Sequence, residues 1–91
     1  MKHQLKILPV YFREVESGNK KFELRKFDRP FSVGDELILR EWDGFKYTGR
    51  AVRVLVTYML PLRGIKMLTD LKDDWEILSI CVLEHYRHFE E

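Results

Sequence analysis

The segment GNKKFELR, residues 18–25, joins a glycine that can end a helix to an alternating run typical of a β-strand. Successive side chains of a strand point to opposite faces of its sheet. We therefore expect Phe22 and Leu24 to fill the core. The opposite face then carries the charged residues Lys21, Glu23 and Arg25. Lys20 lies at the turn before this strand.

The residues before this segment predict a strand followed by a helix. Residues 3–7 read as a short strand, and Pro9 suits the first turn of a helix, where its missing N–H costs no hydrogen bond. Apolar residues then recur at helical spacing as far as Ser17. Gly18 is expected to end this helix in the left-handed conformation.

The residues after the segment predict a β-hairpin and a long return strand. Residues 31–35 form a turn that leads into an apolar strand over residues 36–42. Asp43-Gly44 supplies the positive φ that a tight hairpin needs. The return strand over residues 50–60 is rich in β-branched residues.

The C-terminal third predicts a loop and one central strand. Residues 61–74 read as a loop with a possible short second helix, and residues 75–84 are apolar on both faces, as in a central strand. Cys81 is expected in the core of this strand, and residues 85–91 are expected to fray. The predicted fold class is α+β, mostly β: a small barrel, or a strongly curved sheet, with one clear helix.

Composition limits the classes of function. The 91 residues predict a single domain over residues 1–91, and the hydrophobic fraction of 45% is typical of a soluble globular protein. The 16 basic and 15 acidic residues nearly cancel, which argues against a broad nucleic-acid-coating surface. A single cysteine, no secretory h-region and no membrane-length apolar run predict a cytoplasmic protein without disulfides.

Two motifs together resemble a known family. The pattern Gly18-x-Lys20-x-x-Glu23-x-Arg25, followed by Phe31-x-Val33-Gly34-Asp35, resembles the ASCH domain of the PUA-like β-barrel superfamily. The resemblance is strongest to a small uncharacterised ASCH-related subfamily of bacterial and phage proteins, and it covers nearly the whole chain. The segments that carry it are His3-Gln4-Leu5-Lys6, Pro9-Val10-Tyr11-Phe12, and residues 22–26, 39–43 and 47–50. It implies a PUA-like barrel of about five to six strands.

The resemblance also implies a barrel that faces RNA or a nucleotide. The implied cleft lies beside the first helix and is lined by Lys20, Glu23 and Arg25. Further ligand-binding candidates are Lys26, Arg29, Trp42 and Arg50. One ASCH branch hydrolyses an acylated cytidine and matches this chain at the glycine, lysine and arginine, but it has threonine where this chain has Glu23.

The chemistry of these side chains fits recognition of a base. Lys20 and Arg25 can meet a phosphate or the O6 and N7 acceptors of a purine, and Glu23 can accept a hydrogen bond from an exocyclic amine. Trp42, with Tyr47 and Phe45 of the hairpin, can supply a stacking platform. The alternative reading is an exposed ion pair between Glu23 and Arg25, worth at most about 1 kcal/mol.

Three functions stay open at this point. We favour a non-catalytic module that binds RNA, a nucleotide or a modified base. The second is a nucleoside amidohydrolase with Lys20 and Glu23 as catalytic residues, and the third is a protein-interaction barrel. No cofactor or metal is expected, because His85 and His88 lack a third ligand nearby.

Overall fold

The computed structural model describes residues 1–26, 29–62 and 75–90. These ranges form one helix and five strands, which confirms a mostly-β fold with one helix. The elements are β1 (Lys2–Ile7), α1 (Pro9–Glu16), β2 (Phe22–Lys26), β3 (Glu36–Trp42), β4 (Tyr47–Pro61) and β5 (Trp75–Tyr86). The possible short second helix, predicted around Met67 to Leu71, lies outside the described residues. No helix within the described ranges is long and apolar enough to cross a bilayer.

The five strands form one sheet in the order β1-β3-β4-β5-β2. β1 pairs with β3 in parallel, and the other neighbours are antiparallel. β5 lies between β4 and β2, as predicted for a central strand. The two edge strands, β1 and β2, nevertheless meet, because the guanidinium of Arg25 on β2 donates to the backbone carbonyl of Lys6 on β1 at 2.9 Å. The sheet is therefore curled into a half-barrel.

Helix α1 begins and ends where its sequence predicts. Pro9 occupies the first turn, and Gly18 has a φ of 85° directly after the C-terminal turn. That φ favours glycine, because other residues pay a steric cost there. Phe12 and Val15 have no solvent exposure, so α1 packs this pair onto the sheet.

The core lies on the face of the sheet that α1 covers, here called the inner face. Side chains from β1, β3, β4 and β5 fill it together with those of α1. Its members are Leu5, Ile7, Phe12, Val15, Phe31, Leu37, Leu39, Val52, Val54, Val56, Leu78 and Ile80. Every strand except β2 therefore contributes an apolar side chain to the core.

The predicted burial of β2 is wrong. Phe22 and Leu24 are 46% and 50% exposed, whereas Glu23 is only 4% exposed. The alternation itself is correct, since Glu23 is paired across the sheet with the buried Leu78 and Arg25 with Glu76. Glu23 and Arg25 face inward, and Arg25 contacts the end of β1, whereas Lys26 is exposed.

Two further predictions about the C-terminal strand are wrong. Cys81 is exposed, because the inner-face positions of β5 belong to its neighbours Leu78 and Ile80. The strand also continues to Tyr86, which pairs with Ala51 of β4, so residues 85 and 86 do not fray.

A polar anchor fixes the turn before β3. Asp35 is buried and accepts hydrogen bonds from His3 Nε2 at 2.9 Å and from the backbone N–H of Ser32 at 2.9 Å. Burial acts to raise the pKa of Asp35, but its hydrogen bonds outweigh burial and leave that pKa lowered. His3 also packs edge-on against Phe31, with ring centroids 4.8 Å apart. This anchor ties the start of β1 to the turn that the sequence predicted.

One carboxyl oxygen of the inner face has no hydrogen-bond partner within the described ranges. Glu76 is 3% exposed, and its Oε1 has no hydrogen bond among the described residues. Burial raises the pKa of this carboxyl, because a charge without a partner is costly in a poorly hydrated site.

Replacing Phe12 with alanine is expected to lower the free energy of unfolding by about 3–5 kcal/mol, because it removes a buried aromatic ring and leaves a cavity. Urea denaturation measures this loss. The control is Val10→Ala on the same helix, where the side chain is 53% exposed and the change should stay within about 0.5 kcal/mol. Equal losses in the two variants would contradict the packing of α1.

Glu76→Gln is expected to stabilise the protein progressively as pH rises. A carboxyl whose pKa is raised by folding contributes its full stability below its unfolded value and loses it as pH passes the folded pKa. Glutamine does not titrate, so the variant should match wild type near about pH 4 and exceed it near about pH 8. Urea denaturation at both values measures the difference.

Glu84→Gln is the control of opposite sign. The Tyr86 hydroxyl, together with Arg53, keeps the pKa of Glu84 below its usual range, so this variant should lose stability relative to wild type as pH rises. Parallel pH profiles for wild type and Glu76→Gln would contradict the unpaired state of the Glu76 carboxyl.

Candidate functional site

A cavity opens where the end of β1 and the start of α1 face β2. Its volume is about 580 Å³, within the range of small-molecule sites. We call it the Glu23 cavity. It is lined by Lys6, Ile7, Leu8, Tyr11, Lys20, Phe22, Glu23, Leu24, Arg25 and Trp75. The three residues at the centre of the sequence prediction, Lys20, Glu23 and Arg25, thus line one concave site.

The Glu23 carboxylate is held between two cations. Its Oε1 accepts a hydrogen bond from Lys20 Nζ at 2.7 Å, and its Oε2 accepts one from Arg25 Nε at 3.0 Å. Its side chain is only 5% exposed, against 16% for Lys20 and 24% for Arg25. The alternative prediction, an exposed ion pair between Glu23 and Arg25, therefore does not fit the buried carboxylate.

Both cations are positioned by backbone carbonyls as well. Lys20 Nζ donates to the carbonyl of Phe22 at 2.6 Å, and Arg25 Nη2 donates to that of Lys6 at 2.9 Å. Each cation therefore joins the carboxylate to the backbone of an edge strand. Such double attachment restricts the rotamers of Lys20 and Arg25 and keeps the Glu23 carboxylate in one orientation.

Apolar and aromatic side chains at the cavity remain open to solvent. Leu8 and Tyr11 at the start of α1 are 51% and 52% exposed, and they lie with Phe22 and Leu24 around the same cavity. Lys20 Nζ lies 4.8 Å from the centroid of the Phe22 ring. Exposed apolar groups around a polar centre are typical of ligand sites.

A second cavity adjoins the first. Its volume is about 440 Å³, and it shares Lys6, Leu24, Arg25 and Trp75 with the Glu23 cavity. We call it the cationic cavity. It is lined by Gln4, Leu5, Lys6, Leu24, Arg25, Lys26, Arg29, Tyr47 and Trp75. Two of the predicted ligand residues, Lys26 and Arg29, thus lie beside the predicted central trio.

Trp42 lines neither cavity but contacts Lys6, which lines both. Lys6 Nζ lies 4.1 Å from the centroid of the Trp42 ring, and Trp42 packs edge-on against Tyr47 at 4.9 Å. The Arg40 guanidinium lies 3.7 Å from the centroid of Tyr47. Of the aromatic residues predicted as a stacking platform, Phe45 is 91% exposed at the turn and Tyr47 is 36% exposed, while the Trp42 and Tyr47 rings each have a cation against them.

Arg50, the last predicted ligand residue, belongs to a different cluster. Its guanidinium donates to both carboxylate oxygens of Glu41 at 2.8 Å, and Thr48 donates to the same carboxylate at 2.7 Å. Glu41 is 1% exposed. Arg50 lines a separate cavity with Glu16 and Tyr86. The structure does not bring Arg50 together with Lys20, Glu23 and Arg25.

His85 and His88 lie at the C-terminal end of the described chain. His85 belongs to strand β5, and the described residues contain no group of three or more histidine, cysteine or acidic side chains that could hold a metal ion.

Sequence reasoning missed several residues of the site. Lys6, Tyr11 and Trp75 line the Glu23 cavity, although none was predicted as a ligand residue. Lys6 lies on the exposed side of β1, where a lysine is ordinary, and it reaches the site only because β1 and β2 meet.

Sequence comparison places the chain among proteins without an assigned function. Residues 2–80 match the family described as "Domain of unknown function (DUF3850)". Over 76 residues the chain is 37% identical to the "Uncharacterized 12.9 kDa protein in GpA 3'region" of Escherichia phage P2, covering 84% of this chain. The chain spans 64% of the length of that relative.

Two solved structures share the fold. Hypothetical protein PH0355 superposes with a TM-score of 0.63 at 18% identity, over 91% of this chain and 100% of that one. A variant of ZmASCH from Zymomonas mobilis superposes with a TM-score of 0.63 at 8% identity, over 86% of this chain and 66% of that one. At these identities the likeness concerns the fold alone. The chain therefore belongs to the DUF3850 family and has an ASCH-like fold.

Proposed function

We propose that this protein binds RNA or a nucleotide, natural or modified, by enclosing a base in the Glu23 cavity. The observation that carries the proposal is the buried Glu23 carboxylate, held by Lys20 and Arg25 in a cavity whose other lining residues, apart from Lys6, are apolar or aromatic. A buried ion cluster is weak evidence for stability, because well-packed apolar residues often serve as well or better. Such a cluster in a concave site is a candidate for ligand recognition.

The geometry of the carboxylate suits hydrogen-bond donors on a base. Each oxygen of Glu23 already accepts one bond from a cation, and a carboxylate oxygen has a second lone pair. Glu23 can therefore accept from an exocyclic amine, such as the N4 amine of cytosine. Arg25 has five N–H groups, of which these contacts use two, so it can also donate to a base carbonyl or a phosphate.

The walls of the cavity suit the faces of a base. Tyr11, Phe22 and Trp75 offer aromatic surface, and stacking of a base on an aromatic side chain is worth about 1–3 kcal/mol. The half-exposed Leu8 and Leu24 add apolar area that a flat ligand would remove from water. Base stacking would thus explain why these apolar side chains of the Glu23 cavity are exposed to solvent.

Hydrolysis of a nucleoside amide is the second candidate, because Lys20 Nζ lies 2.7 Å from Glu23 Oε1 in the cavity. Lys20 donates to two acceptors there, which suits a positioning cation better than a nucleophile. Incubation with acylated cytidine and related nucleosides distinguishes the two. Turnover that is lost in Lys20→Ala supports an enzyme, and no turnover across the panel supports binding alone.

Glu23→Gln is expected to weaken binding of the preferred mononucleotide or short single-stranded RNA by about 10–100-fold. The amide keeps the shape of the side chain but removes one acceptor and the charge, and a hydrogen bond to a charged group is worth about 1.5–3 kcal/mol. Isothermal titration calorimetry against a panel of ribonucleotides and oligonucleotides measures the loss. Glu41→Gln is the matched control, since Glu41 is also buried and arginine-bound but lies outside both cavities.

Arg25→Ala should weaken oligonucleotide binding by a similar factor and beyond its effect on stability. Arg53→Ala is its control, because Arg53 has similar exposure (28% against 24%) and pairs with Glu36 and Glu84 instead. Equal binding by wild type, Glu23→Gln and Arg25→Ala would contradict the proposal. Binding of a protein partner with little salt dependence, and of no nucleotide, would favour an interaction module.

A further inference from the structure

The two cavities adjoin, and we call them together the groove. They share Lys6, Leu24, Arg25 and Trp75, so a ligand seated in the Glu23 cavity extends directly into the cationic cavity. Arg25 lies at the junction, and its Nε is fixed on Glu23. The groove therefore has room for a second chemical group attached to the base.

The charges of the two halves differ. The Glu23 cavity contains a carboxylate, whereas the described lining of the cationic cavity carries four cationic side chains and no carboxylate. The cations are Lys6, Arg25, Lys26 and Arg29. Clustered cations in a cleft raise the local concentration of anions even when the net charge of the chain is only +1.

Two of these cations are held in place by described neighbours. Arg25 is tied to Glu23 and to the Lys6 carbonyl, and Lys6 Nζ packs over Trp42. Arginine donates two N–H groups side by side to a phosphate, and lysine supplies a point charge. A phosphate ester matches this combination, because its oxygens are charged acceptors spread over a compact group.

We infer that the cationic cavity is a phosphate subsite, so that the ligand is a phosphorylated nucleoside, either free or within an RNA strand, with its base in the Glu23 cavity. This inference rests on the proposed function and adds the place where the phosphate of the ligand binds. Lys26 and Arg29 are the residues that distinguish a nucleotide from a nucleoside, while Glu23 recognises the base in both.

The first test compares ligands on the wild-type protein. Calorimetry with a nucleoside, its 5′-monophosphate, its 3′-monophosphate and inorganic phosphate should give at least about ten-fold tighter binding for one monophosphate than for the nucleoside. A short RNA that binds tighter than either monophosphate identifies a strand as the source of the phosphate. Preference for a monophosphate over the RNA identifies a free nucleotide.

The second test uses the double variant Lys26→Gln/Arg29→Gln. It should lose the advantage of the nucleotide while keeping nucleoside affinity within about two-fold, and it should reduce the salt dependence of RNA binding. The control is Lys2→Gln/Arg13→Gln, which removes two exposed cations that line neither cavity. Circular dichroism verifies the fold of each variant.

The outcomes separate this inference from the proposed function. Equal wild-type affinity for nucleoside and monophosphates overturns the phosphate subsite but leaves base binding in place. A full nucleotide advantage in the folded double variant also overturns it. Absence of binding by every nucleoside, nucleotide and RNA overturns both.

Discussion

The guanidinium of Arg25 is the contact on which the arrangement of the site depends. It donates to Glu23 within β2 and to the carbonyl of Lys6 on β1, the strand at the opposite edge of the sheet. The same side chain therefore spans the opening of the half-barrel, orients the carboxylate and lines both cavities where they meet. The Glu23 partner of this arginine is only 5% exposed, so the pair differs from an exposed surface ion pair, which contributes at most about 1 kcal/mol.

The stability of the fold and the chemistry of the groove come from different residues. The core is formed by α1 and four strands, and Phe12 and Val15 are its fully buried contribution from the helix. Strand β2 instead places a charged pair on the inner face and leaves Phe22 and Leu24 exposed. Proteins accept such local conflicts with the usual burial pattern at functional sites, where the exposed apolar surface and the buried charge serve a ligand. Glu76 adds to the conflict, since it is paired across the sheet with Arg25 and its Oε1 has no hydrogen-bond partner in the part of the chain that the structure describes.

The local structure was predictable from the sequence, and the contacts between distant segments were not. Pro9 and Gly18 mark the helix because their backbone preferences act within a few residues, and Asp43-Gly44 marks the hairpin for the same reason. The alternation of β2 was also predictable. Which face of β2 is buried depends on how β2 is placed relative to β1 in the folded sheet. The alternation of apolar and polar residues does not determine that placement.

The same distinction applies to the candidate site: residues close in sequence were predictable as a group, and residues brought in from distant segments were not. Lys20, Glu23 and Arg25 are close in sequence, so their grouping followed from the strand and from the ASCH resemblance. Lys6 and Trp75 lie beside them only because the sheet is curled. Arg50 does not lie with them, and its guanidinium binds the Glu41 carboxylate instead.

The most direct test of the account is the carboxyl carbon of Glu23 observed by NMR. In protein labelled with ¹³C at the glutamate carboxyl, Glu23 and Glu41 can be assigned by their glutamine variants and followed as a nucleotide is added. We expect the Glu23 signal to shift in a saturable manner while that of Glu41 stays unchanged, because only the first carboxylate lies in the groove. Saturable nucleotide binding that leaves the Glu23 signal unmoved would contradict the account.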